Sequence, residues 1–308
     1  MTALRTAAQE YLALRRSLGF KLERQSRLLA QFIDYLEDAD ATTVTSELAV
    51  AWATVPTGVS AGWWATRLSV VRGFAHHLQA SDPATEVPPA GLFPNQPRRA
   101  TPYLYSSEEI ARLLTAAATL TPPFRAATYQ TLISLLVVTG MRIGETLRLD
   151  RSDVDLAAGL LTIRHSKFDR SRQLPLHPTT VEALDAYAQH RDQCCSTPLN
   201  ASFFVTTIGT RPHYGTVQRT FKELVGDAGL KPRSSRCRPR LHDLRHSFAV
   251  SSLVAWYQAG VDIQARLPLL STYLGHVNPA NTYWYLSAAP ELLTLAAQRL
   301  QDALGELP

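Results

Sequence analysis

The first eighty residues carry apolar side chains at the three- and four-residue spacing of amphipathic helices. Four such stripes begin near Leu4, Leu28, Ser46 and Trp64, and Gly19 follows the first of them, where a glycine commonly ends a helix. Apolar residues on one helical face pack into a core far more often than they contact a ligand. The pattern therefore predicts a small, all-helical first domain over residues 1–82.

The helical period breaks down between residues 83 and 103. Six prolines fall in this stretch, together with Arg98 and Arg99. Proline fixes φ and lacks a backbone donor, so a chain rich in it favours extended conformations over helices. We predict an extended interdomain linker over residues 83–103.

Helical patterns resume in residues 104–308. Ser106 and Glu109 have the spacing of a capping box at a helix start, and Thr179 and Glu182 repeat that spacing farther on. Between these two helix starts, the apolar run TYQTLISLLVVTG predicts a buried helix that ends at Gly140. The second domain is therefore expected to be built mainly from helices.

Two short β-patterned segments interrupt those helices. LLTIR (160–164) and RQLPL (172–176) lie on either side of the basic turn HSKFDRS. The turn is short enough to join antiparallel neighbours. The chain as a whole is therefore predicted to be mainly α, with an α+β second domain that contains a small antiparallel sheet.

Composition and sequence motifs argue against a membrane protein, a nucleotide-dependent enzyme and a metalloenzyme. The net charge is +5, the hydrophobic content is 45%, and three cysteines show no metal-ligand spacing. No apolar run is long enough to cross a bilayer, and the charged N-terminus does not resemble a signal peptide, so a cytoplasmic protein without a membrane partner is expected. The sequence GxxxxGK[ST] is absent, as is a carboxylate cluster suited to two-metal chemistry, so neither a nucleotide cofactor nor a metal is predicted.

The densest chemistry lies between residues 242 and 285. His242 and Arg245 are three residues apart and share a face if the segment is helical. His276 follows a glycine near a predicted helix end, and Tyr285 lies nine residues beyond it. Arginine grips phosphate oxygens, imidazole moves protons near neutral pH, and a phenol becomes a nucleophile when it is helped to lose its proton. This combination is suited to holding a phosphodiester and attacking it with a tyrosine.

Two further features are ambiguous by themselves. Arg142 and Glu145 are three residues apart in MRIGETLRL, which commonly means a surface ion pair and less commonly a buried arginine that is oriented toward an anion. The segment 231–245 carries six basic residues against one acid, a density that would attract a polyanion.

Five motifs in order resemble the tyrosine recombinase (phage integrase) family: TGMRIGE, the SK of HSKFDR, HDLRHSFA, LGH, and a tyrosine nine residues after that histidine. The ending YWYLSAAPELL is similar to integrases borne on transposons. The resemblance covers the whole chain and implies a SAM-like core-binding domain, a linker, and a catalytic domain over residues 104–308 that ends in an oligomerisation helix.

The resemblance also implies roles for six catalytic side chains and one supporting side chain. Arg142 and Arg245 would hold the oxygens of the scissile phosphate, with Glu145 orienting Arg142. His242 would accept the tyrosine proton, and His276 would hydrogen-bond a phosphate oxygen. Tyr285 would attack the phosphorus, leaving a 3′-phosphotyrosine and a free 5′ hydroxyl.

Two of these assignments have a rival in the sequence. Lys167 would protonate the departing 5′ oxygen, and Arg170 is the competing basic residue on the same turn. Tyr283 is the rival nucleophile, but the spacing from LGH and the threonine three residues before the nucleophile, Thr282 here, favour Tyr285.

The partners implied are double-stranded DNA sites, a tetramer on DNA that passes through a Holliday junction, and an accessory recombinase or DNA-bending protein at the nucleoid. Residues 288–304 form an amphipathic pattern that suits either packing within the chain or docking on a neighbouring protomer; its apolar stripe consists of Leu292, Leu293, Ala296, Leu300 and Leu304. Basic residues expected to contact DNA are Arg67, Arg72, Arg98, Arg99, Arg170, Arg172, Arg219, Lys222, Arg236, Arg238 and Arg240.

Two other functions remain open from the sequence. A type IB topoisomerase would use the same chemistry to relax supercoils without paired sites. A catalytically silent relative would bind DNA for regulation, although such a protein has no need of a nucleophile.

Overall fold

The computed structural model describes residues 2–94, 101–164, 171–195, 199–276, 278 and 280–288, with 294, 297 and 301. The chain divides into two compact units, Met1–Arg99 and Ala100–Pro308. The predicted fold class is confirmed: the described chain is mainly helical, with one three-stranded antiparallel sheet in the second unit.

The first unit is a four-helix cluster whose elements follow the predicted apolar stripes. Phe32, Leu36, Trp52 and Phe74 are among the side chains that form its core. The first helix ends just before Gly19, whose positive φ is readily available only to glycine. The helices are α1 (Ala3–Ser17), α2 (Glu23–Asp38), α3 (Ser46–Thr54) and α4 (Ala61–Leu78).

Two arginines of α4 that were expected to face DNA are used inside this unit. The side chain of Arg67 is buried, donates to the Trp52 carbonyl at 2.8 Å, and lies over the Trp52 ring at 3.7 Å. A flat guanidinium on an aliphatic stem can stack on an aromatic face, so Arg67 packs with the apolar face of α4. The prediction that Arg67 faces outward, toward DNA, is therefore corrected. Arg72 donates to the carbonyls of Pro88 and Pro89, each at 2.7 Å, and so holds the following segment.

The proline-rich stretch was expected to be extended throughout, but both of its described ends are packed. At the first end, Val87 and Phe93 pack on the core of the first unit. At the other end, Tyr103 and Tyr105 are buried in the core of the second unit. Prolines prevent a helix here, but the apolar residues between them still bury surface where they can. Arg98 and Arg99 lie outside the described residues.

The buried helix α6 (Pro123–Thr139) contributes Leu132, Ile133 and Leu136 to the larger core of the second unit. The strands are β1 (Val154–Asp155), β2 (Leu160–Ile163) and β3 (Arg172–Pro175). Strands β1 and β2 pair antiparallel, and β2 pairs antiparallel with β3, with Leu161 opposite Leu174 and Ile163 opposite Arg172. The helices are α5 (Ser107–Ala118), α6 (Pro123–Thr139), α7 (Ile143–Arg148), α8 (Pro178–Cys194), α9 (Tyr214–Asp227), α10 (Asp243–Gln258), α11 (Ile263–Leu274) and α12 (Ala280–Ala288).

One of the two predicted capping boxes forms. Ser106 Oγ accepts from the Glu109 amide, and Glu109 accepts from the Ser106 amide, at the start of α5. At α8 the helix instead begins with Pro178, and the His177 ring accepts from the Thr179 amide. Proline suits the first helical position because its φ is already helical and its missing N–H is not needed there, so the helix begins earlier than predicted.

Gly140 ends α6 as predicted and fixes the approach to the next helix. Its φ of +59° is in the left-handed region, and a Cβ there would lie 2.4 Å from Cδ1 of Phe248. A side chain is therefore excluded both by backbone strain and by lack of space. The chain turns tightly at this point and places Arg142 at the start of α7, one residue before its first turn.

The described residues contain neither a membrane-spanning helix nor a cluster of metal ligands. No helix among them is long and apolar enough to cross a membrane. No group of three or more histidine, cysteine, aspartate or glutamate side chains in the same ranges could hold a metal ion.

Candidate active site

Side chains from four elements converge beside the end of α11. Arg142 precedes α7, and Arg245 lies in the first turn of α10. His276 follows Gly275, which ends α11 with a φ of +67°, and Tyr285 lies within α12. These residues are widely separated in the sequence, so tertiary packing is what brings them together.

Arg245 joins α10 to the C-terminal ends of α6 and α11. Its side chain is buried, with 2% exposure, and donates to the Gly140 carbonyl at 2.7 Å and the Leu274 carbonyl at 2.6 Å. These carbonyls are at helix C-termini, where they lack helical partners and carry partial negative charge. Burial, and next the charge of Arg142, lower the pKa of Arg245 to about 10, which still leaves it positive at neutral pH.

Arg142 reaches the same helix end from the other side. Its Nη2 donates to the Gly275 carbonyl at 3.0 Å, and its Nη1 donates to Glu145 at 2.8 Å. The side chain keeps 32% exposure. Arg142 and Arg245 therefore place two positive charges close together with one of them open to solvent, an arrangement that favours an anion at this point.

Glu145 is a buried ion rather than one half of a surface pair. Only 4% of it is exposed, and it is bonded by the backbone and side chain of Arg142 and by the side chain of Arg172. Burial raises the pKa of Glu145, but the hydrogen bonds and charge of Arg172 and the charge of Arg142 outweigh it and hold the pKa at about 2. The carboxylate is thus negative at any physiological pH.

Arg172 was expected to contact DNA, and its geometry corrects that prediction. Its side chain has 11% exposure, donates to both Glu145 oxygens, and donates through Nε to the Tyr273 carbonyl at 2.9 Å. Because strand side chains alternate, Arg172 lies on the same face as buried Leu174 and opposite buried Ile163. That alternation is the signal in the sequence that could have placed Arg172 inside.

His276 bridges Arg245 and helix α12. Its Nε2 lies 2.9 Å from Arg245 Nη2, and its Nδ1 lies 2.7 Å from Thr282 Oγ1. Since a guanidinium can only donate, Nε2 accepts and the ring proton lies on Nδ1. Burial, and next the charges of Arg245 and Arg142, lower the pKa of His276 to about 3, so the ring is neutral.

His242 lies immediately before α10, on the exposed side of the cluster. Partial removal from water, and next the charges of Arg245 and Arg142, lower the pKa of His242 to about 4. A neutral imidazole at pH 7 can accept a proton, which is what a general base requires.

His246 was not singled out from the sequence. Its ring centre lies 4.8 Å from that of His242 and 5.4 Å from that of Tyr285, so it is close to both. Its Nε2 is 4.0 Å from the buried carboxylate of Asp243. Position 246 is four residues after 242, one helical turn on the same face, and this spacing was a readable signal.

The two rival tyrosines differ in environment. Tyr285 has 2% exposure, and its ring lies 6.1 Å from that of His276 in a stacked orientation. Tyr283 has 51% exposure. Residues two apart on a helix point in different directions, so only Tyr285 is directed into the cluster.

The other basic candidates differ in their surroundings. Arg240 forms a two-pronged ion pair with buried Asp243 while keeping part of its side chain exposed. Exposed on the second unit are Arg219, Lys222, Arg236 and Arg238. Outside the described residues lie Lys167, Arg170 and the stripe Leu292, Leu293, Ala296, Leu300 and Leu304.

Comparison with known proteins places this geometry in context. Residues 104–291 match the phage integrase family. The chain is 45% identical over 307 residues to the Sinorhizobium fredii protein named "Putative integrase/recombinase y4rB", with 98% of each chain covered. It is also 32% identical over 218 residues to the tyrosine recombinase XerC of Azotobacter vinelandii, covering 71% of this chain and 67% of that relative.

Solved structures share the fold. The Tn1549 transposon integrase in complex with transposon right end DNA matches with a TM-score of 0.63 at 16% identity, covering 98% of this chain and 100% of that one. The XerH recombinase bound to palindromic difH substrate matches with a TM-score of 0.62 at 20% identity over 91% and 78% of the two chains. A lambda integrase tetramer bound to a Holliday junction matches with a TM-score of 0.60 at 19% identity over 92% and 76%.

Proposed function

Because the chain belongs to the phage integrase family and is a site-specific tyrosine recombinase, we propose that its candidate active site cuts and rejoins DNA through a covalent bond to Tyr285. One observation carries this proposal. Arg142 and Arg245 bind adjacent carbonyls at the end of α11, beside His276 and the ring of Tyr285. Two cations, a neutral imidazole and a phenol meet where a phosphodiester could be held.

In the proposed first step, Tyr285 attacks phosphorus and His242 takes the phenolic proton. Charge grows on the non-bridging oxygens in the pentacoordinate transition state, and Arg142 and Arg245 neutralise it. Their fixed contacts to Gly140, Leu274 and Gly275 hold them in place beforehand, so little reorganisation is needed during the reaction.

His276 has a second part in this step. With its Nε2 accepting from Arg245, it cannot donate to a phosphate oxygen in the same tautomer. An anionic phosphodiester beside the ring raises its pKa and favours an Nε2–H that donates to oxygen. Thr282 then keeps the ring oriented from its Nδ1 side.

The leaving group departs as the 5′ oxygen, protonated by Lys167, and a 3′-phosphotyrosine remains. The phosphodiester bond is replaced by an ester of similar energy, so the reverse attack by a 5′ hydroxyl from another strand rejoins the DNA. Cleavage and rejoining therefore require no external energy source.

The partners proposed are double-stranded DNA sites and further copies of this chain, assembled as a tetramer at the nucleoid. A net charge of +5 and exposed basic residues on α9 and the 231–240 segment support attraction to the DNA backbone. The solved relatives in DNA-bound forms, with one tetramer on a Holliday junction, support the same assembly. Integration of a transposon, with an accessory recombinase or DNA-bending protein, is the biological event we propose.

Covalent capture of DNA tests this function directly. We expect the full chain to form detergent-resistant adducts with a pool of duplexes randomised around a fixed nick, because the short fragment released by cleavage diffuses away and prevents rejoining. The adducts should share one sequence, with the protein on a 3′ end and a free 5′ hydroxyl on the fragment. Adducts at 5′ ends, or none from any sequence, would count against the proposal.

The captured sequence then separates recombination from supercoil relaxation. Plasmids that carry two copies of the site should yield exchanged products, whereas plasmids without it should remain supercoiled. Relaxation of plasmids that lack the site would instead favour topoisomerase activity, and binding without any adduct would favour a silent regulator.

The depressed pKa of His242 predicts an unusual pH profile. A free imidazole with a pKa near 6.5 would lose half its base form at that pH, whereas a pKa of about 4 keeps His242 neutral well into the acid range. We therefore expect the rate of adduct formation, measured at limiting protein, to stay level from about pH 8 down to about pH 6 and to fall only below about pH 5. A rate that halves between about pH 6 and pH 7, with duplex binding unchanged, would contradict a neutral His242.

A further inference from the structure

We infer that Arg172 is a positioning residue for cleavage, which acts through Glu145 to keep Arg142 directed at the scissile phosphate. This inference rests on the proposed function and adds to it a residue outside the six to which the family resemblance assigns chemistry. Arg172 lies at the start of β3, 30 residues along the chain from Arg142, and its side chain points into the site.

The Glu145 carboxylate is held by two arginines at once. Arg172 donates to Oε1 at 3.2 Å and to Oε2 at 2.8 Å, so it holds both oxygens. Arg142 donates to the same oxygens, from Nη1 at 2.8 Å and from its backbone amide at 3.1 Å. A two-pronged arginine–carboxylate pair fixes the plane of the carboxylate as well as its position. Arg172 therefore fixes the orientation of the Glu145 carboxylate, and that carboxylate in turn orients Arg142.

Arg172 is itself held in place by the backbone at the end of α11. Its Nε donates to the Tyr273 carbonyl at 2.9 Å, and its guanidinium lies directly against Gly275. A Cβ at Gly275 would fall 2.6 Å from Nη1 and 2.8 Å from Cζ of Arg172. The carbonyl of Gly275 accepts from Arg142 at 3.0 Å. Arg142 thus binds Gly275 while Arg172 packs against it, and the absence of a side chain at 275 makes room for Arg172.

Arg172 also balances the charge of Glu145. Glu145 carries one negative charge, and Arg172 supplies a buried positive charge to balance it. If Arg172 were neutral, the two carboxylate oxygens would both be available to Arg142, which could then form the two-pronged pair itself. That pairing would turn Arg142 away from the Gly275 carbonyl and leave less of its charge for a phosphate. Arg172 thereby preserves Arg142 for the substrate.

The test compares Arg172→Gln and Arg172→Lys with a control on the neighbouring strand of the same hairpin. Arg164 is joined to Asp153 at the end of β2, and its side chain is largely exposed, so Arg164→Gln removes a comparable ion pair without touching the site. We expect Arg172→Gln to slow single-turnover adduct formation by about 100-fold at saturating protein, with duplex affinity within about twofold. Arg172→Lys should recover part of that loss, since an ammonium balances the charge but cannot form the fork. Arg164→Gln should stay within about threefold of the unsubstituted chain.

Modified substrates distinguish positioning of Arg142 from general disruption. A methylphosphonate at the scissile position replaces a charged oxygen with a neutral methyl group, so less charge needs an arginine to neutralise it. The defect of Arg172→Gln should shrink to within about fivefold on that substrate. An equal loss on both substrates would overturn the inference, because a merely distorted site has no reason to favour the neutral one.

A second substrate separates Arg142 from the leaving-group side of the reaction. A 5′-bridging phosphorothiolate releases a thiolate, which departs without a general acid. We expect this substrate to leave the Arg172→Gln defect unchanged. Recovery of the rate on it would show that Arg172 acts on leaving-group protonation and would contradict the inference.

Two controls distinguish a specific effect of Arg172 on cleavage from a loss of folding. Thermal unfolding of each variant shows whether the fold survives, and the double variant Glu145→Gln with Arg172→Gln should be no slower than the slower single variant if both act on one path. Failure of the unsubstituted chain to form adducts would count against the proposed function. An active chain whose Arg172→Gln variant cleaves at the same rate would count against this inference alone.

Discussion

Tyr285→Phe is expected to abolish covalent capture of DNA while leaving duplex affinity within about twofold. Phenylalanine keeps the ring that packs in the buried cluster beside His276, so the site and α12 should remain folded. What is lost is the oxygen that attacks phosphorus, and removing a nucleophile lowers the rate by at least ~10⁴-fold. Gel detection of detergent-resistant adducts on the nicked duplex measures this directly.

Tyr283→Phe is the matched control for that experiment. Tyr283 lies two residues earlier on the same helix but has 51% exposure, so its hydroxyl faces away from the cluster. The variant should form adducts within about threefold of the normal rate. If Tyr283→Phe blocks capture while Tyr285→Phe does not, the assignment of the nucleophile is reversed.

Arg245→Lys is expected to have the second largest effect, on both chemistry and stability. One ammonium group cannot reproduce the planar fork that reaches the Gly140 and Leu274 carbonyls and His276 together. Loss of a preorganised donor to the phosphate should slow cleavage by about 10³-fold. Leaving buried acceptors unsatisfied should also lower the free energy of unfolding by about 2–4 kcal/mol.

Separate measurements distinguish those two losses. Denaturant unfolding of the variant gives the change in stability, and single-turnover cleavage well below its melting temperature gives the change in rate. Arg266→Lys is a suitable control, since Arg266 lies on α11 of the same unit with an exposed side chain. Cleavage by Arg245→Lys within about tenfold of normal would contradict a phosphate-holding role for Arg245.

Much of the fold was predictable because its signals are local. The apolar stripes of α1 to α4, the glycine stop at Gly140 and the two strands on either side of the basic turn each arise from neighbouring residues. The spacing of His242 and Arg245 likewise reflects a single helical turn. Such features depend on backbone geometry that a short window of sequence specifies.

The remainder depends on contacts between distant segments. Arg67 and Arg172 are long, charged side chains that were expected to face DNA, yet one stacks on Trp52 and the other binds Glu145. Local sequence does not reveal which carbonyl or carboxylate will lie within reach of a guanidinium. The partner of Arg245 at Gly140 is 105 residues away, and only the packing of α6 against α10 brings them together.

The buried state of Glu145 illustrates the same limit. An arginine and an acid three residues apart are most often a solvated pair, and that interpretation was favoured from the sequence alone. The decisive factor was the second cation, Arg172, which makes burial of the carboxylate tolerable. Strand alternation implied that Arg172 shares a face with Leu174, but it did not imply that Arg172 lies close to Glu145.

Identification of the tyrosine joined to DNA tests the central claim most directly. Trypsin should release residues 267–299 as one peptide, since no lysine or arginine lies between Arg266 and Arg299, and this peptide contains Tyr273, Tyr283 and Tyr285. After nuclease trimming of the adduct, fragmentation in a mass spectrometer locates the remaining nucleotide. We predict that it lies on Tyr285, linked through a 3′ phosphate. A nucleotide on Tyr283, on Tyr273 or on a residue outside this peptide would contradict the account.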